Sequence, residues 1–180
     1  MKSLTFITGN LNKLKWTQRY IHIPLEHKKL DLVEIQSLDS RTVVEHKVKE
    51  AFSIVKNPVL VEDTSLIFNA WGNLPGTFVK YFVEELGNEG LCKLLTASDR
   101  SAIAKATYGV FDGNKLFFFE GSIQGSIATM PIGNEGFGWN PIFIPNGCEK
   151  TYAEMTDEEI DQVSIRKIAL EKMRKELINE

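Results

Sequence analysis

Residues 4–8, Leu-Thr-Phe-Ile-Thr, form a short apolar and β-branched run that stops at Gly9-Asn10, and from Leu11 a helical pattern takes over to residue 21. This strand, loop and helix opening restricts the chain to folds that alternate the two kinds of element. The alternation continues with an expected strand at 30–33, a helix at 42–56 and, after Pro58, an apolar strand at 59–61. Strands alternating with helices point to an α/β fold built on a mixed, largely parallel sheet with flanking helices. Leu74-Pro75-Gly76 marks a turn before an aromatic helical stretch at 78–86, and 90–95 reads as another short helix. The pattern changes after residue 101. Two long β-like runs, 102–111 and 116–127, meet at Asp112-Gly113, a strong hairpin signal, and an antiparallel hairpin forming a second lobe around 101–132 is expected. A glycine-rich segment at 133–138 precedes a strand at 141–144. A final helix is expected from Asp157, with Val163, Leu170, Met173 and Leu177 on one apolar face.

The 180 residues fit a single domain large enough to bury a core, and no linker rich in Gly, Ser or Pro divides them. With 43% hydrophobic and 25% charged residues and no biased segment, the chain should fold by itself. Its net charge of -3 argues against broad neutralisation of a long nucleic acid, while leaving room for a small anion held by locally gathered cations. The apolar run behind Lys2 is cut short by Gly9 and Asn10, too early for a signal peptide or a membrane span. A cytoplasmic protein without membrane attachment is therefore expected. Cys92 and Cys148 are too few for a disulfide framework and lack zinc-site spacing, so both should be reduced. His22, His27 and His46 show no metal-ligand spacing either.

Four segments could carry chemistry. In Thr8-Gly9-Asn10-Leu11-Asn12-Lys13, free amides at a helix start attract phosphate, Gly9 admits a close backbone approach and Lys13 adds positive charge. The same residues also fit an ordinary turn capped by Asn10 or Asn12. In Val61-Glu62-Asp63-Thr64-Ser65, two carboxylates follow a buried strand, the end of an α/β sheet where ligands sit. Oxygen-rich clusters suit magnesium, and a carboxylate beside the ion can deprotonate water; Glu34 is a plausible third acid. A charged turn is the competing reading. Gly136-Phe137-Gly138-Trp139-Asn140-Pro141 places aromatic rings between glycines, which suits stacking on a nucleobase or plugging a core. Ser164-Ile165-Arg166 offers a guanidinium for phosphate or base, with Lys47 and Lys80 as further cations, although an arginine on a helix is commonly solvated.

Taken in order, these segments resemble the inosine triphosphate pyrophosphatase family, also called the Ham1 family, over nearly the whole chain. Thr-Gly-Asn-x-x-Lys at 8–13, Val-Glu-Asp-Thr at 61–64, Leu-Pro-Gly at 74–76, Gly-Phe-Gly-Trp at 136–139, Thr-Tyr-Ala-Glu-Met at 151–155 and Ser-x-Arg at 164–166 carry the resemblance. It implies an elongated, two-lobed Ham1-like fold with a central cleft, commonly a homodimer. It also implies magnesium-dependent hydrolysis of ITP, dITP and XTP to the monophosphate and pyrophosphate. Thr8, Gly9, Asn10, Asn12 and Lys13 would hold the triphosphate with Thr64, Lys47 and Lys80. Glu34, Glu62 and Asp63 would hold the metal, Asp63 serving as base. Phe137, Gly138, Trp139, Asn140, Ser164 and Arg166 would complete the substrate site. A nucleotide-binding or sensing protein with weak turnover is the alternative.

The sequence departs from the family pattern at three polar positions. Asn140 stands where the family usually has aspartate, Ile160 where a lysine falls, and Ile165 where the usual Ser-His-Arg has histidine. Losing such groups weakens rejection of the wrong base, because strong discrimination needs buried polar atoms that the wrong substrate leaves unpaired. Altered or relaxed base preference is therefore expected.

Overall fold

A computed structural model describes residues 3–177. Strand β1 (Leu4–Ile7) leads into helix α1 (Leu11–Ile21), followed by β2 (Leu25–Lys28), α2 (Ser40–Val55) and β3 (Val59–Phe68). β1 pairs in parallel with both β2 and β3, as the alternating pattern predicts. The second strand lies earlier than expected, at Leu25–Lys28 instead of 30–33. Alternation at Leu30 and Leu32 does place both side chains on a core formed by Ile7, Val44, Val48, Ala51, Val59 and Val61. What the later segment lacks is a free strand edge, since the outer side of β1 is already paired with β2.

The short β4 (Pro75–Gly76) pairs antiparallel with β3, in place of the simple turn expected there. Helix α3 (Val79–Leu94) is kinked at Gly87, whose φ of 64° and ψ of 172° break the helical run between the two short helices predicted from sequence. β5 (Ser101–Phe111) and β6 (Leu116–Ile127) form the expected hairpin. At its turn, Asp112 Oδ1 accepts hydrogen bonds from the amides of Asn114 at 2.8 Å and Lys115 at 2.7 Å. β7 (Phe143–Pro145) pairs antiparallel with β6, so the sheet runs β2-β1-β3-β5-β6-β7 with β4 also on β3. The expected single final helix is two, α4 (Asp157–Gln162) and α5 (Ile165–Leu177). Val163 falls in the break, where its carbonyl accepts the Tyr152 hydroxyl at 2.6 Å.

The chain divides into two compact units, one of residues up to 64, 106–121 and from 166 on, the other of residues 65–105 and 122–165. The hairpin is consequently shared: its turn end belongs to the first unit and its open end to the second. It does not form a lobe of its own.

In the first unit, side-chain alternation sorts the sheet into two faces. Ile7, Val59 and Val61 meet Val44, Val48 and Ala51 of α2. Phe6 and Tyr108 lie on the opposite face, their ring centroids 6.5 Å apart. Gly109 allows the close approach of α2, because a Cβ there would fall 2.3 Å from Val44 Cγ1, a side chain with no exposure. Replacing Gly109 with Ala is expected to cost about 1–3 kcal/mol through overpacking, measured by urea unfolding. A change below about 0.5 kcal/mol would show that α2 retreats freely.

In the second unit, Ala102 and Ala104 of β5 are buried together with Leu66 and Phe68 of β3. Trp71 packs between Phe68 and Phe82, at centroid distances of 4.9 and 6.3 Å. No helix among the described residues is long and apolar enough to cross a membrane. Cys92 and Cys148 are both free thiols, as expected.

Candidate active site

The loop between β1 and α1 is a helix cap. Asn10 Oδ1 accepts from the amides of Asn12 at 2.9 Å and Lys13 at 3.3 Å, and Thr8 Oγ1 accepts from the Asn10 amide at 3.0 Å. His27 Nε2 lies 2.8 Å from the Thr8 carbonyl, so that nitrogen carries the proton and donates. Two amides of the first turn are thus bonded to Asn10, while Lys13 reaches out of that turn. Its Nζ lies 3.5 Å from the Glu62 carbonyl oxygen on β3. Lys29 adds a cationic side chain beside the loop, its Cε 3.6 Å from where a Gly9 Cβ would stand.

Glu62 and Asp63 are consecutive in β3, so the pleat sends them to opposite faces. Asp63 lies on the α2 side. Lys47 Nζ sits 2.7 Å from Glu34 Oε1 and 3.5 Å from Asp63 Oδ1, bridging the two acids. Asp63 Oδ2 is buried without a hydrogen-bond partner. Burial raises the Asp63 carboxyl above its ordinary value; Lys13 and then Lys47 pull it down, and Glu34 and Glu62 push it up again. A half-buried acid with one buried, unpaired oxygen and two nearby ammonium groups can hold a cation or accept a proton from water.

Glu62 is committed elsewhere. Its Oε2 accepts the Tyr108 hydroxyl at 3.2 Å, and its Oε1 lies 2.9 Å from Arg166 Nη2. The N–H of Arg166 is not aimed along that contact, which is an ion pair without directed hydrogen-bond geometry. Among the described residues no three His, Cys, Asp or Glu side chains are gathered closely enough to hold an ion by themselves. The expected trio is thus divided, with Asp63 and Glu34 joined through Lys47 and Glu62 on the other face.

In the second unit, the aromatic loop is fastened down. Trp139 is buried, edge-on to Phe143 at 5.7 Å and tilted against Tyr152 at 6.1 Å, so its ring plugs the core. Phe137 is only half-buried. Asn140 donates its amide to the Phe137 carbonyl at 3.3 Å, and its Nδ2 occupies the space above Gly136, 2.1 Å from where a Cβ would lie. Asn88 Nδ2 donates to the Gly138 carbonyl at 2.9 Å. The Thr151–Glu154 segment caps itself, with Thr151 N bonded to Glu154 Oε2 at 2.9 Å and Thr151 Oγ1 donating to the Ile132 carbonyl at 2.8 Å. Lys80 is exposed, its ammonium 5.6 Å from the Tyr81 ring centroid. Ser164 and Ile165 are buried at the start of α5. Thr64, half-buried, closes the first unit's part of β3.

The family model described as the Ham1 family matches residues 4–176. This chain belongs to the Ham1 family. Inosine triphosphate pyrophosphatase 2 of Trypanosoma cruzi is 44% identical over 172 residues, 93% of this chain and 88% of that protein. The inosine triphosphate pyrophosphatase of Schizosaccharomyces pombe is 42% identical over 179 residues, 97% of this chain and 94% of that one. In fold the chain is similar to a HAM1 protein from Coxiella burnetii, with a TM-score of 0.86 at 23% identity and 100% of each chain covered.

Within this Ham1-family chain, motif reading did not single out Tyr108 and Thr17, which share a 3.0 Å hydrogen bond behind Glu62. A signal was present. Ala102, Ala104, Ala106, Tyr108 and Val110 form one buried face of β5, and a phenol on such a face needs a buried polar partner.

Proposed function

We propose that this chain is a nucleoside triphosphate pyrophosphatase that hydrolyses non-standard purine nucleotides, ITP, dITP and XTP, to the monophosphate and pyrophosphate. The observation that carries this proposal is Asp63: half-buried, with its Oδ2 buried and unpartnered, and flanked by Lys13 and Lys47. The names of its relatives, inosine triphosphate pyrophosphatases at 42–44% identity, supply the substrate class.

The chemistry follows from charge. A triphosphate repels an incoming nucleophile, so cations must offset its charge before water approaches the α-phosphorus. Lys13 and Lys47 are assigned that role with the loop of Thr8, Gly9, Asn10 and Asn12, and Thr64 and Lys80 are assigned to the same phosphates. Asp63 takes a proton from the attacking water as the bond to pyrophosphate breaks. Pyrophosphate leaves directly, without a covalent intermediate.

A divalent cation, which we take to be magnesium, fits the donors present. Magnesium commonly uses one or two carboxylates and completes its shell with water and substrate oxygens, so a preformed protein cage is not required. Asp63 Oδ2 is a buried oxygen lacking a partner, and Glu34 is held near it by Lys47. Glu62, engaged by Tyr108 and Arg166, is the weakest of the three expected ligands. When bound, the ion would neutralise phosphate charge and polarise the reacting phosphoryl group.

Phe137, Gly138, Asn140, Ser164 and Arg166 are assigned to substrate recognition, with Trp139 anchoring the loop. The isoleucines at 160 and 165 remove polar groups that the family pattern associates with recognition, so base discrimination should be shallower than in relatives that keep them. Pyrophosphate release with magnesium, measured on ITP, XTP, GTP, ATP and the pyrimidine triphosphates, tests both points. Release with a modest ITP preference is expected. A preference as steep as that of relatives with Asp, Lys and His would refute the relaxed pocket, and binding without release would favour a nucleotide sensor. A cytoplasmic homodimer belongs to the same proposal, its assembly checked by light scattering.

A further inference from the structure

The first unit holds a buried polar chain that the proposed reaction does not use directly. Thr17 of α1, Tyr108 of β5 and Glu62 of β3 are all buried, and the Glu62 side chain is 1% exposed. Tyr108 has a single hydroxyl proton, and the Glu62 carboxylate can only accept it, at 3.2 Å. Thr17 must then donate to the Tyr108 oxygen, at 3.0 Å. Beyond Glu62 stands Arg166 on α5, 2.9 Å from Oε1. Two helices and two strands therefore meet through one directional chain, Thr17 to Tyr108 to Glu62, ending on Arg166.

Burial and the adjacent Glu62 charge hold the Tyr108 phenol well above its ordinary value, so it remains a neutral donor throughout the working range. A carboxylate buried this deeply needs its partners, since an unpaired buried charge is costly. With the phenol on one oxygen and the guanidinium near the other, Glu62 has little freedom to turn toward the Asp63 face. The pleat of β3 points it away from that face in any case.

We infer that Tyr108 and Thr17 are positioning residues that fix Glu62 as the anchor of Arg166, and that Glu62 serves substrate binding through that arginine instead of ligating the metal. This inference rests on the pyrophosphatase proposal for its choice of substrate. It differs from what the family resemblance implies, which is that Glu62 holds the metal together with Glu34 and Asp63.

The test compares Tyr108→Phe, Thr17→Val, Arg166→Lys, the Tyr108→Phe/Arg166→Lys pair and Glu62→Gln with the unaltered chain. Pyrophosphate release from ITP gives kcat, KM and the half-saturating magnesium concentration. Calorimetric binding of a non-hydrolysable ITP analogue gives affinity independently of turnover. Tyr108→Phe should weaken nucleotide affinity about three- to tenfold, the scale of one lost hydrogen bond, with kcat changed less than KM. The double variant should lose little more than the larger single loss, because both act through Glu62. Glu62→Gln should weaken the analogue while leaving the half-saturating magnesium concentration within about twofold. The inference is overturned if Tyr108→Phe leaves affinity unchanged, if the two losses multiply, or if Glu62→Gln raises the magnesium requirement about tenfold. Should Tyr108→Phe fail to fold, Thr17→Val carries the same test with a smaller expected loss. If the unaltered chain releases no pyrophosphate, the pyrophosphatase proposal fails, and analogue binding still decides the role of the chain.

Discussion

Asp63→Asn is expected to lower kcat for pyrophosphate release about 10²–10⁴-fold, the range for loss of a general base, while leaving the protein at least as stable as before. Asparagine keeps the shape and one carbonyl acceptor but cannot take a proton from water. The stability half follows from the raised carboxyl. Below the ordinary aspartate value of 3.8, Asp63 is protonated both folded and unfolded, and it contributes no pH dependence. Above that value the unfolded chain releases its proton first, while the folded chain retains it until the raised value is passed. The native state therefore binds more protons through this window, and the Asp63 contribution to stability falls as pH rises. Asparagine removes that cost. Thermal melts without divalent metal should give the variant an equal or higher Tm at pH 7, with the advantage disappearing near pH 3.8. Near-normal turnover in the folded variant would reject Asp63 as the base. A lower Tm at pH 7 would mean that the attraction to Lys47 at 3.5 Å outweighs burial.

The elements that sequence revealed best were those with a local cause. The first strand and helix, the Asp112-Gly113 hairpin and the break near Gly87 depend on neighbouring residues alone, and each lies where the pattern placed it. The strand misplaced to 30–33 had the right side-chain alternation; the choice of 25–28 is a matter of which segment reaches the β1 edge, a nonlocal outcome. The site divides along the same line. Lys13 and Asp63 were singled out because charge beside a helix start or an expected strand end is unusual enough to notice, whereas Lys47, in the middle of α2, took its role from the resemblance. The different fates of Glu62 and Asp63 follow from the pleat once the strand is known to run to Phe68, well past the expected end at residue 61. The need of Tyr108 for a polar partner was legible, but the partners themselves were not, because Thr17 and Glu62 lie 91 and 46 residues away. The stacking expected of Trp139 was ambiguous for a similar reason: an aromatic ring in a glycine-rich loop suits a base or a core, and its contacts with Phe143 and Tyr152 fill a core.

Arg100→Ala should destabilise the protein by about 3–4 kcal/mol, the largest loss expected of any single surface-reaching side chain in the second unit. Its guanidinium serves four backbone carbonyls, those of Leu95 at 2.6 Å, Cys92 at 3.4 Å, Ile127 at 2.8 Å and Ala128 at 2.6 Å. Cys92 and Leu95 lie at the carboxyl end of α3, where unpaired carbonyls gather negative charge, and Ile127 and Ala128 end β6. One cation thus satisfies a helix end and a strand end that have no other shared partner among these bonds. Alanine would leave several part-buried carbonyls to find water, at a cost of about 1–3 kcal/mol for each that fails. For a chain of this size the loss corresponds to a fall in Tm of about 6–16 °C. Lysine is a poor substitute, because a single ammonium has three donors and cannot span the fork that a planar guanidinium covers. Arg100→Lys should therefore recover less than half of the lost stability in urea unfolding. Full recovery by lysine would show that charge at the end of α3 is what matters, and a loss below about 1 kcal/mol for alanine would show that water replaces the guanidinium without difficulty.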